Sequence, residues 1–305
     1  MKKAVIVLAH QLPEQVNIFL QQLIQDEQTD VYVHVNKLCE DIIPLLIKHK
    51  RVFITKNNVK IHWGDDGVLR AILLLYKEIL QSKKTYEYVL IVSGQDLLVK
   101  NDIDSFLTKN KGIAFVEYKN INIKEQNSFN RAKLLYKWPY IFRQLYNNKF
   151  NPIRILRSLY CRLGSIGLLP KKKINYDVKN IIFYHDLFWN ALPFEIVKYI
   201  NDFLNDDPNF FDIFKNAFAP DETFFTTIIM NSKFKNRIKL VDNVSHSLTY
   251  INKTINNHPP ILTMADVSKI EESGMFFARK FDYRVDKEVI EYFKNKIINS
   301  EGKRE

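Results

Sequence analysis

The order of hydrophobic segments predicts an α/β protein with a mostly parallel central sheet flanked by helices. Short β-branched segments alternate with longer segments of helical periodicity over the first 117 residues. The 305-residue chain is 46% hydrophobic and 13% aromatic, which is ordinary for a globular protein and excludes extended disorder. No apolar run approaches the roughly 20 residues that a membrane-spanning helix needs.

The first half of the chain alternates between strands and helices. Continuous apolar or β-branched character predicts strands at 3–9, 31–35, 51–54, 88–92 and 112–117. Apolar residues that recur every three to four positions predict helices at 13–28, 39–50 and 66–84. Ligands of parallel sheets bind at the carboxyl ends of the strands. Polar candidates at or near those ends are His10, His34, Asn36, Ser93, Gln95, Asp96 and Glu117.

The second half is mixed. Strand-like segments occur at 181–189, 238–241, 247–251 and 276–282, and helical patterns at 193–204, 218–231, 266–273 and 286–298. We therefore expect one domain over residues 1–283, with a basic helical insertion at about 119–173. Residues 284–305 are expected to form a C-terminal helix and a frayed tail.

The positive charge is concentrated in one segment. The net charge is +11, and residues 119–173 contain 13 Lys or Arg and one acid, so this segment carries +12 and the remainder −1. Such a patch predicts a polyanionic partner: nucleic acid, an anionic membrane or a phosphorylated ligand. Residues 153–166 combine helical apolar spacing with three arginines. This pattern fits a membrane-surface helix and also an ordinary surface helix.

Several common catalytic signatures do not occur. The sequence has no GxGxxG or GxxxxGK[ST] phosphate loop, no zinc-type Cys/His spacing and no GxSxG motif. Cys39 and Cys161 form no disulfide framework, which favours a reducing, cytoplasmic compartment. Asp102-Ile103-Asp104 could hold a divalent metal against a diphosphate, but it also suits the first turn of a helix.

Two charged motifs in the second half have more than one interpretation. Pro220-Asp221-Glu222 is a plausible helix start with Asp221 as the N-cap. A carboxylate there is expected to stay ionised, as a general base requires. Arg279-Lys280 lies in a strand-like segment, so the two cations should point to opposite faces. At least one should point inward and need an anionic partner, within the protein or in a ligand.

Five segments, taken in order, resemble one enzyme family. They are Val31-Tyr-Val-His-Val-Asn-Lys37, Trp63-Gly64, Ser93-Gly-Gln-Asp96, Pro220-Asp-Glu222 and Phe277-Ala-Arg-Lys-Phe-Asp282. Together they resemble the core-2/I-branching β-1,6-N-acetylglucosaminyltransferase family (glycosyltransferase family 14), which includes the peptide O-xylosyltransferases. The resemblance runs from about residue 3 to residue 283.

The resemblance implies a GT-A-type nucleotide-sugar fold and inverting, metal-independent transfer from a UDP-sugar. It implies Glu222 as catalytic base, and Lys280 with Arg279 as the cations that neutralise the departing diphosphate. The other donor-binding residues it implies are His34, Asn36, Ser93, Gln95 and Asp96. The acceptor-binding residues it implies are Glu117, Arg131 and Trp189. No metal ligand and no cofactor are expected.

The sequence departs from the family pattern at three places. Asn36 stands where the family usually has Asp, residues 184–189 lack a Gly-Ser pair, and His258 stands near an arginine of some animal members. The animal members also have a membrane anchor and many disulfides, features that this sequence does not show. We therefore expect a cytoplasmic bacterial relative, either free or peripheral on the inner membrane face.

The expected substrates are a UDP-sugar and a glycan or lipid-linked glycan in surface polysaccharide synthesis. The segment 119–173 would then bind anionic lipid or a pyrophosphate-linked acceptor. The alternatives are a metal-dependent transferase that uses Asp102 and Asp104, a nucleic-acid-binding protein and a non-catalytic glycan-binding protein.

Overall fold

A computed structural model describes residues 1–118, 133–144, 151–238, 247–252 and 259–299. Its strands, in chain order, are β1 Lys3–Ala9, β2 Thr29–Val35, β3 Val52–Ile54, β4 Tyr88–Ser93, β5 Asp96–Leu98, β6 Phe115–Tyr118, β7 Asp186–Pro193, β8 Thr249–Ile251 and β9 Phe277–Arg279. Its α-helices are α1 Pro13–Leu23, α2 Gly67–Gln81, α3 Ile103–Lys109, α4 Pro152–Ser165, α5 Phe194–Asp206, α6 Asp221–Met230, α7 Val267–Glu272 and α8 Lys287–Ile298.

The strands form two sheets. The larger sheet has the order β3-β2-β1-β4-β7-β6, and the smaller has the order β5-β9-β8. Strands β1 to β4 are mutually parallel, while β7 runs antiparallel to both β4 and β6. Five of the six strands in the larger sheet therefore share one direction. This confirms the predicted α/β class with a mostly parallel sheet flanked by helices.

The larger sheet separates two hydrophobic clusters, and β1 contributes to both. Val5 and Val7 pack with residues of α1 and α8 on one face. Ala4 and Ile6 pack with residues of α2, α5 and α6 on the other face. Successive side chains of a strand point to opposite faces, so an unbroken apolar strand can be buried on both sides. All seven residues of β1 are buried.

Several element boundaries differ from the sequence predictions. The helix expected at 39–50 is a 3₁₀ segment, Lys37–Leu45, which contains Pro44. Proline lacks an amide hydrogen and clashes with the preceding helical turn, so an α-helix is not continued there. The first helix ends at Leu23, and the strand expected at 181–189 begins at Asp186. Strand β5 was not predicted. Most of the strand expected at 238–241 and the C-terminal tail lie outside the described residues.

The strand order creates a crevice at one edge of the larger sheet. From β1 the chain crosses to β2 on one side, whereas β4 lies on the other side of β1. At such a switch point the loops that follow neighbouring strands diverge and leave space for a ligand. His10 follows β1, and Gly94 and Gln95 follow β4, at this edge. In the described part of the chain, we find no helix with the length and apolar character needed to span a bilayer.

Candidate active site at the strand carboxyl ends

A cavity of about 460 Å³ opens at the carboxyl ends of β1, β2 and β4. The segment 61–65 and the start of α6 form further parts of its wall. The cavity brings together seven of the eleven residues to which the resemblance assigns a site role, namely Asn36, Ser93, Gln95, Trp189, Glu222, Arg279 and Lys280. The sequence therefore singled out part of the polar lining of this cavity, but not the contacts that these residues make with one another.

Glu222 lies in the first turn of α6, and its side chain is about one-third exposed. The Glu222 Oε2 atom lies 3.3 Å from Lys133 Nζ and 4.0 Å from His185 Nε2. The Lys133 ammonium also lies 5.1 Å from the centre of the Phe218 ring. A carboxylate at the cavity wall is thus held by a cation in a partly aromatic environment.

Asp221 differs from its sequence prediction in both position and charge. It is the first residue of α6 rather than the N-cap, a position that Pro220 occupies. Burial, reinforced by the charge of Glu222, raises the pKa of Asp221 to about 8. The expectation that the helix N-terminus keeps this carboxyl ionised is therefore wrong, because the desolvation penalty exceeds the helix-dipole effect. The raised pKa favours the protonated form of Asp221, which does not accept a proton.

A buried ion pair lies beneath the cavity. Asp96 and Arg279 are register partners in antiparallel strands β5 and β9, and Asp96 Oδ1 lies 3.1 Å from Arg279 Nη1. The same Nη1 lies 3.2 Å from Ser93 Oγ. The indole Nε1 of Trp189 donates to Asp96 Oδ2 at 3.1 Å, and its ring lies 3.6 Å from the guanidinium carbon. Four side chains thus form one connected network.

This network changes the roles expected of Asp96 and Arg279. Asp96 has no exposed surface, so it does not contact a ligand in the cavity and instead neutralises Arg279. Burial raises the pKa of Asp96, and the charge of Arg279 opposes that rise. The Arg279 side chain is only 10% exposed, so its charge is already balanced inside the protein. The inward-pointing cation expected from the sequence has a protein partner.

Lys280 is placed differently from Arg279. Its side chain is half-buried and lines the cavity, and no acid of the described residues lies within ion-pair distance of it. Burial and the neighbouring Arg279 lower the pKa of Lys280. Desolvation, with the charges of Lys280 and Arg279, also lowers the pKa of His10. An imidazole and a lysine amine, each with a lowered pKa, therefore share this end of the cavity.

His34 and Asn36 position the wall of the cavity. His34 is fully buried, its Nε2 accepts a hydrogen bond from Val59 N at 2.9 Å, and burial lowers its pKa to about 4. Asn36 Oδ1 accepts from Ile61 N at 3.1 Å, and its Nδ2 donates to Ile61 O at 2.9 Å. Both side chains thus fix the segment that leads to Trp63. Direct contact of His34 with a donor, as the resemblance implies, does not agree with its burial.

Two residues that were predicted to bind the acceptor substrate are not among the described residues that line this cavity. Glu117 lies at the end of β6, where its Oε2 is 3.4 Å from Ser247 Oγ, and it is not among the residues that line the cavity. Arg131 lies outside the described residues, as does His258.

The Asp102-Ile103-Asp104 motif lies far from the cavity. Asp104 forms ion pairs with Lys3 and with the amino group of Met1, at the amino end of β1. The cavity lies at the carboxyl end of the same seven-residue strand, roughly 20 Å away at the usual rise per residue. Among the described residues, no group of three or more His, Cys, Asp or Glu is arranged to hold a metal ion.

The sequence analysis assigned no role to Phe218 or Lys133, and it named Trp63 only as part of the Trp63-Gly64 segment. Gly64 has a φ of +69°, and a Cβ atom there would lie 2.8 Å from the Phe218 ring. A glycine after Trp63 therefore allows the close approach of the two aromatic residues. This glycine was the one available signal, because Lys133 is one of 13 cations in the basic segment and nothing local distinguishes it.

Comparisons with known proteins gave structural similarity only. No family model matches the sequence, and no curated protein matches it. A putative glucose-1-phosphate thymidylyltransferase from Bacillus anthracis is 12% identical, with a TM-score of 0.31 over 66% of this chain and 75% of that one. A 4-diphosphocytidyl-2C-methyl-D-erythritol synthase from Anaerococcus prevotii is 13% identical, with a TM-score of 0.38 over 89% and 97%. Mouse xyloside xylosyltransferase 1 is 8% identical, with a TM-score of 0.34 over 79% and 85%. These scores are too low to establish a shared fold, so the fold class rests on strand order and register.

Proposed function

We propose that the protein is an inverting, metal-independent glycosyltransferase that uses a UDP-sugar, such as UDP-GlcNAc or UDP-xylose. One observation carries the proposal: Glu222 and Lys280 line the same cavity at the carboxyl ends of the parallel strands. A nucleotide-sugar donor would occupy this cavity, as ligands of open α/β sheets do. The GT-A-type fold and the membership of the core-2/I-branching family, both implied by the sequence resemblance, belong to this proposal.

In the proposed reaction, a hydroxyl oxygen of the acceptor attacks the anomeric carbon of the donor sugar. The bond between that carbon and the diphosphate oxygen breaks, and its electron pair leaves with UDP. Glu222 accepts the hydroxyl proton, so the products are a β-glycoside and UDP. Attack on the face opposite the leaving group inverts an α-linked donor to a β-linked product.

Lys280 would stabilise the charge that develops on the departing diphosphate. A fixed cation in a partly desolvated cavity performs this task without a metal ion. Arg279 would support it indirectly, because its ion pair with Asp96 fixes the strand end from which Lys280 extends. Trp189 remains a candidate for contact with the acceptor, since it lines the cavity beside this network.

The proposal is tested by product analysis. The purified protein is incubated with UDP-GlcNAc, UDP-xylose, UDP-glucose and UDP-glucuronic acid, each with a panel of alkyl glycoside acceptors. We expect one donor to give UDP and a product whose new anomeric centre is β by NMR. A product with an α linkage would contradict the inverting mechanism. Absence of UDP release with every donor and acceptor would count against the transferase itself.

A further inference from the structure

Helix α4 presents an apolar face to solvent. Ile155, Leu156 and Leu159 are 62%, 50% and 51% exposed, although each is large and aliphatic. Further exposed apolar residues lie next to the helix in the described chain, namely Tyr140, Ile141, Ile166 and Leu168. A contiguous apolar group of this kind on a protein surface marks an interaction site.

The same region is strongly basic. Within the described ranges 133–144 and 151–173 there are nine Lys or Arg residues and no Asp or Glu. Three of them, Arg154, Arg157 and Arg162, lie on α4 itself. A helix that combines exposed aliphatic side chains with cations and lacks acids is complementary to an anionic bilayer. Nucleic acid would use the cations but would leave Ile155 and Leu159 exposed to water.

Aromatic contacts connect α4 to the cavity. The Arg157 guanidinium lies 4.3 Å from the Trp63 ring, and Trp63 lines the cavity. On the inner side of the helix, the Tyr160 ring packs against Trp138, which lies 4.2 Å from Phe218. Phe218 in turn lines both the main cavity and a second cavity of about 200 Å³ beneath α4.

The second cavity adjoins the Glu222 side of the site. Lys133, whose ammonium lies 3.3 Å from Glu222, also lines it. Its lining also includes Tyr136 and Trp138 and the α4 residues Tyr160, Cys161, Gly164 and Ser165. Helix α4 is therefore connected, through Lys133 and Phe218, to the part of the main cavity where the proposed base is located.

We propose that the exposed face of α4 binds an anionic lipid bilayer and that a lipid-linked acceptor reaches Glu222 from that surface. The first part stands on the surface chemistry of α4 alone. The second part rests on the proposed function, because it concerns the acceptor of that reaction. Membrane binding would place the Glu222 side of the cavity next to the headgroup layer, where the first sugar of a lipid-linked glycan lies.

The test is flotation with vesicles of phosphatidylcholine alone and of phosphatidylcholine mixed with phosphatidylglycerol. We expect binding to the mixed vesicles only. Arg154→Glu/Arg162→Glu should reduce the partition coefficient roughly 10- to 30-fold. Leu156→Ser/Leu159→Ser should reduce it at constant charge. The matched controls, Lys48→Glu/Lys50→Glu and Leu45→Ser/Val285→Ser, alter exposed residues elsewhere and should bind like the wild type.

Three results would contradict the proposal that α4 binds a membrane. They are vesicle binding that does not depend on anionic lipid, equal losses of binding in the control variants, and salt-sensitive binding to RNA or DNA without binding to vesicles. Thermal melting of every variant separates a binding loss from misfolding. Vesicle binding needs no donor, so its failure is distinct from failure of the transferase proposal, which UDP titration detects.

If transfer occurs, the α4 variants should lose activity on a vesicle-embedded acceptor and keep it on a water-soluble one. Equal activity on both would refute delivery from the membrane.

Discussion

Asp96 and Arg279 face each other across strands β5 and β9, with Oδ1 and Nη1 3.1 Å apart. The pair is buried, and Ser93 and Trp189 supply further hydrogen bonds to it. Its charges compensate each other inside the protein, so the next residue, Lys280, is left to present a cation to the cavity. A motif of two adjacent cations therefore has two separate roles, one structural and one proposed for the donor.

Removal of Asp96 should destabilise the protein strongly. Asp96→Ala leaves the buried Arg279 guanidinium without its counter-charge, a change that typically costs about 3–5 kcal/mol. Urea unfolding measures this loss. The control is Glu291→Ala, which breaks a partly exposed ion pair with Lys294 and should cost less than about 1 kcal/mol. Equal, small losses in both variants would show that the Asp96–Arg279 pair is not structurally important.

Lys280→Ala should weaken UDP binding. Loss of one hydrogen bond to a charged group costs about 1.5–3 kcal/mol, so the Kd for UDP should rise roughly 10- to 150-fold, at 1.4 kcal/mol per tenfold change. Lys287→Ala, at an exposed lysine outside the cavity, is the matched control. Unchanged UDP affinity in Lys280→Ala would remove Lys280 from the donor site.

Glu222→Gln should abolish most turnover and leave UDP binding intact. Removal of a general base costs roughly 10²- to 10⁴-fold in rate, whereas UDP would contact the Lys280 side of the cavity. Initial-rate kinetics and UDP titration on the same preparation separate the two effects. Glu195→Gln, at an exposed acid paired with Arg237, should retain full activity. Near-normal turnover in Glu222→Gln would require another base.

Asp221 should make stability depend on pH. Its pKa is about 8 in the folded protein, whereas the ordinary pKa of an aspartate, which applies to the unfolded chain, is 3.8. The folded state therefore holds a proton that the unfolded state releases between these values. The resulting stabilisation is complete below pH 3.8 and is lost progressively as pH rises through about 8.

Urea unfolding of the wild type and of Asp221→Asn tests this dependence over the same pH range. The free energy of unfolding of the wild type, relative to the variant, should fall as pH rises from about 4 to about 8 and then level off. A relative stability that stays constant or rises over this range would contradict a protonated, buried Asp221.

Local patterns predicted the larger sheet and the edge at which the cavity lies. Unbroken apolar strands such as Lys3–Ala9 are recognisable without neighbours, and polar residues directly after them mark the carboxyl edge. The pattern could not show that Asp96 meets Arg279, because that contact needs the pairing of two strands 183 residues apart. It also could not show that His34 is fully buried and accepts a hydrogen bond from Val59 N.

The charge states of the site residues were the hardest property to predict from the sequence. The position of Asp221 at a helix start predicts an ionised carboxyl, yet its burial against Glu222 reverses the result. Burial depends on the packing of α6 against the rest of the cavity wall, which no local pattern specifies. Lys133 is a similar case. Its ion pair with Glu222 distinguishes it from the other cations of the basic segment, and that contact is not visible in the sequence.

The most direct test of the proposed donor site is a calorimetric titration of UDP into the wild-type protein, with and without EDTA. We predict binding with the same affinity in both buffers, because Lys280 and not a metal ion would neutralise the diphosphate. Binding that EDTA abolishes would contradict metal independence and restore a metal-dependent transferase. No UDP binding in either buffer would contradict the nucleotide-sugar site itself.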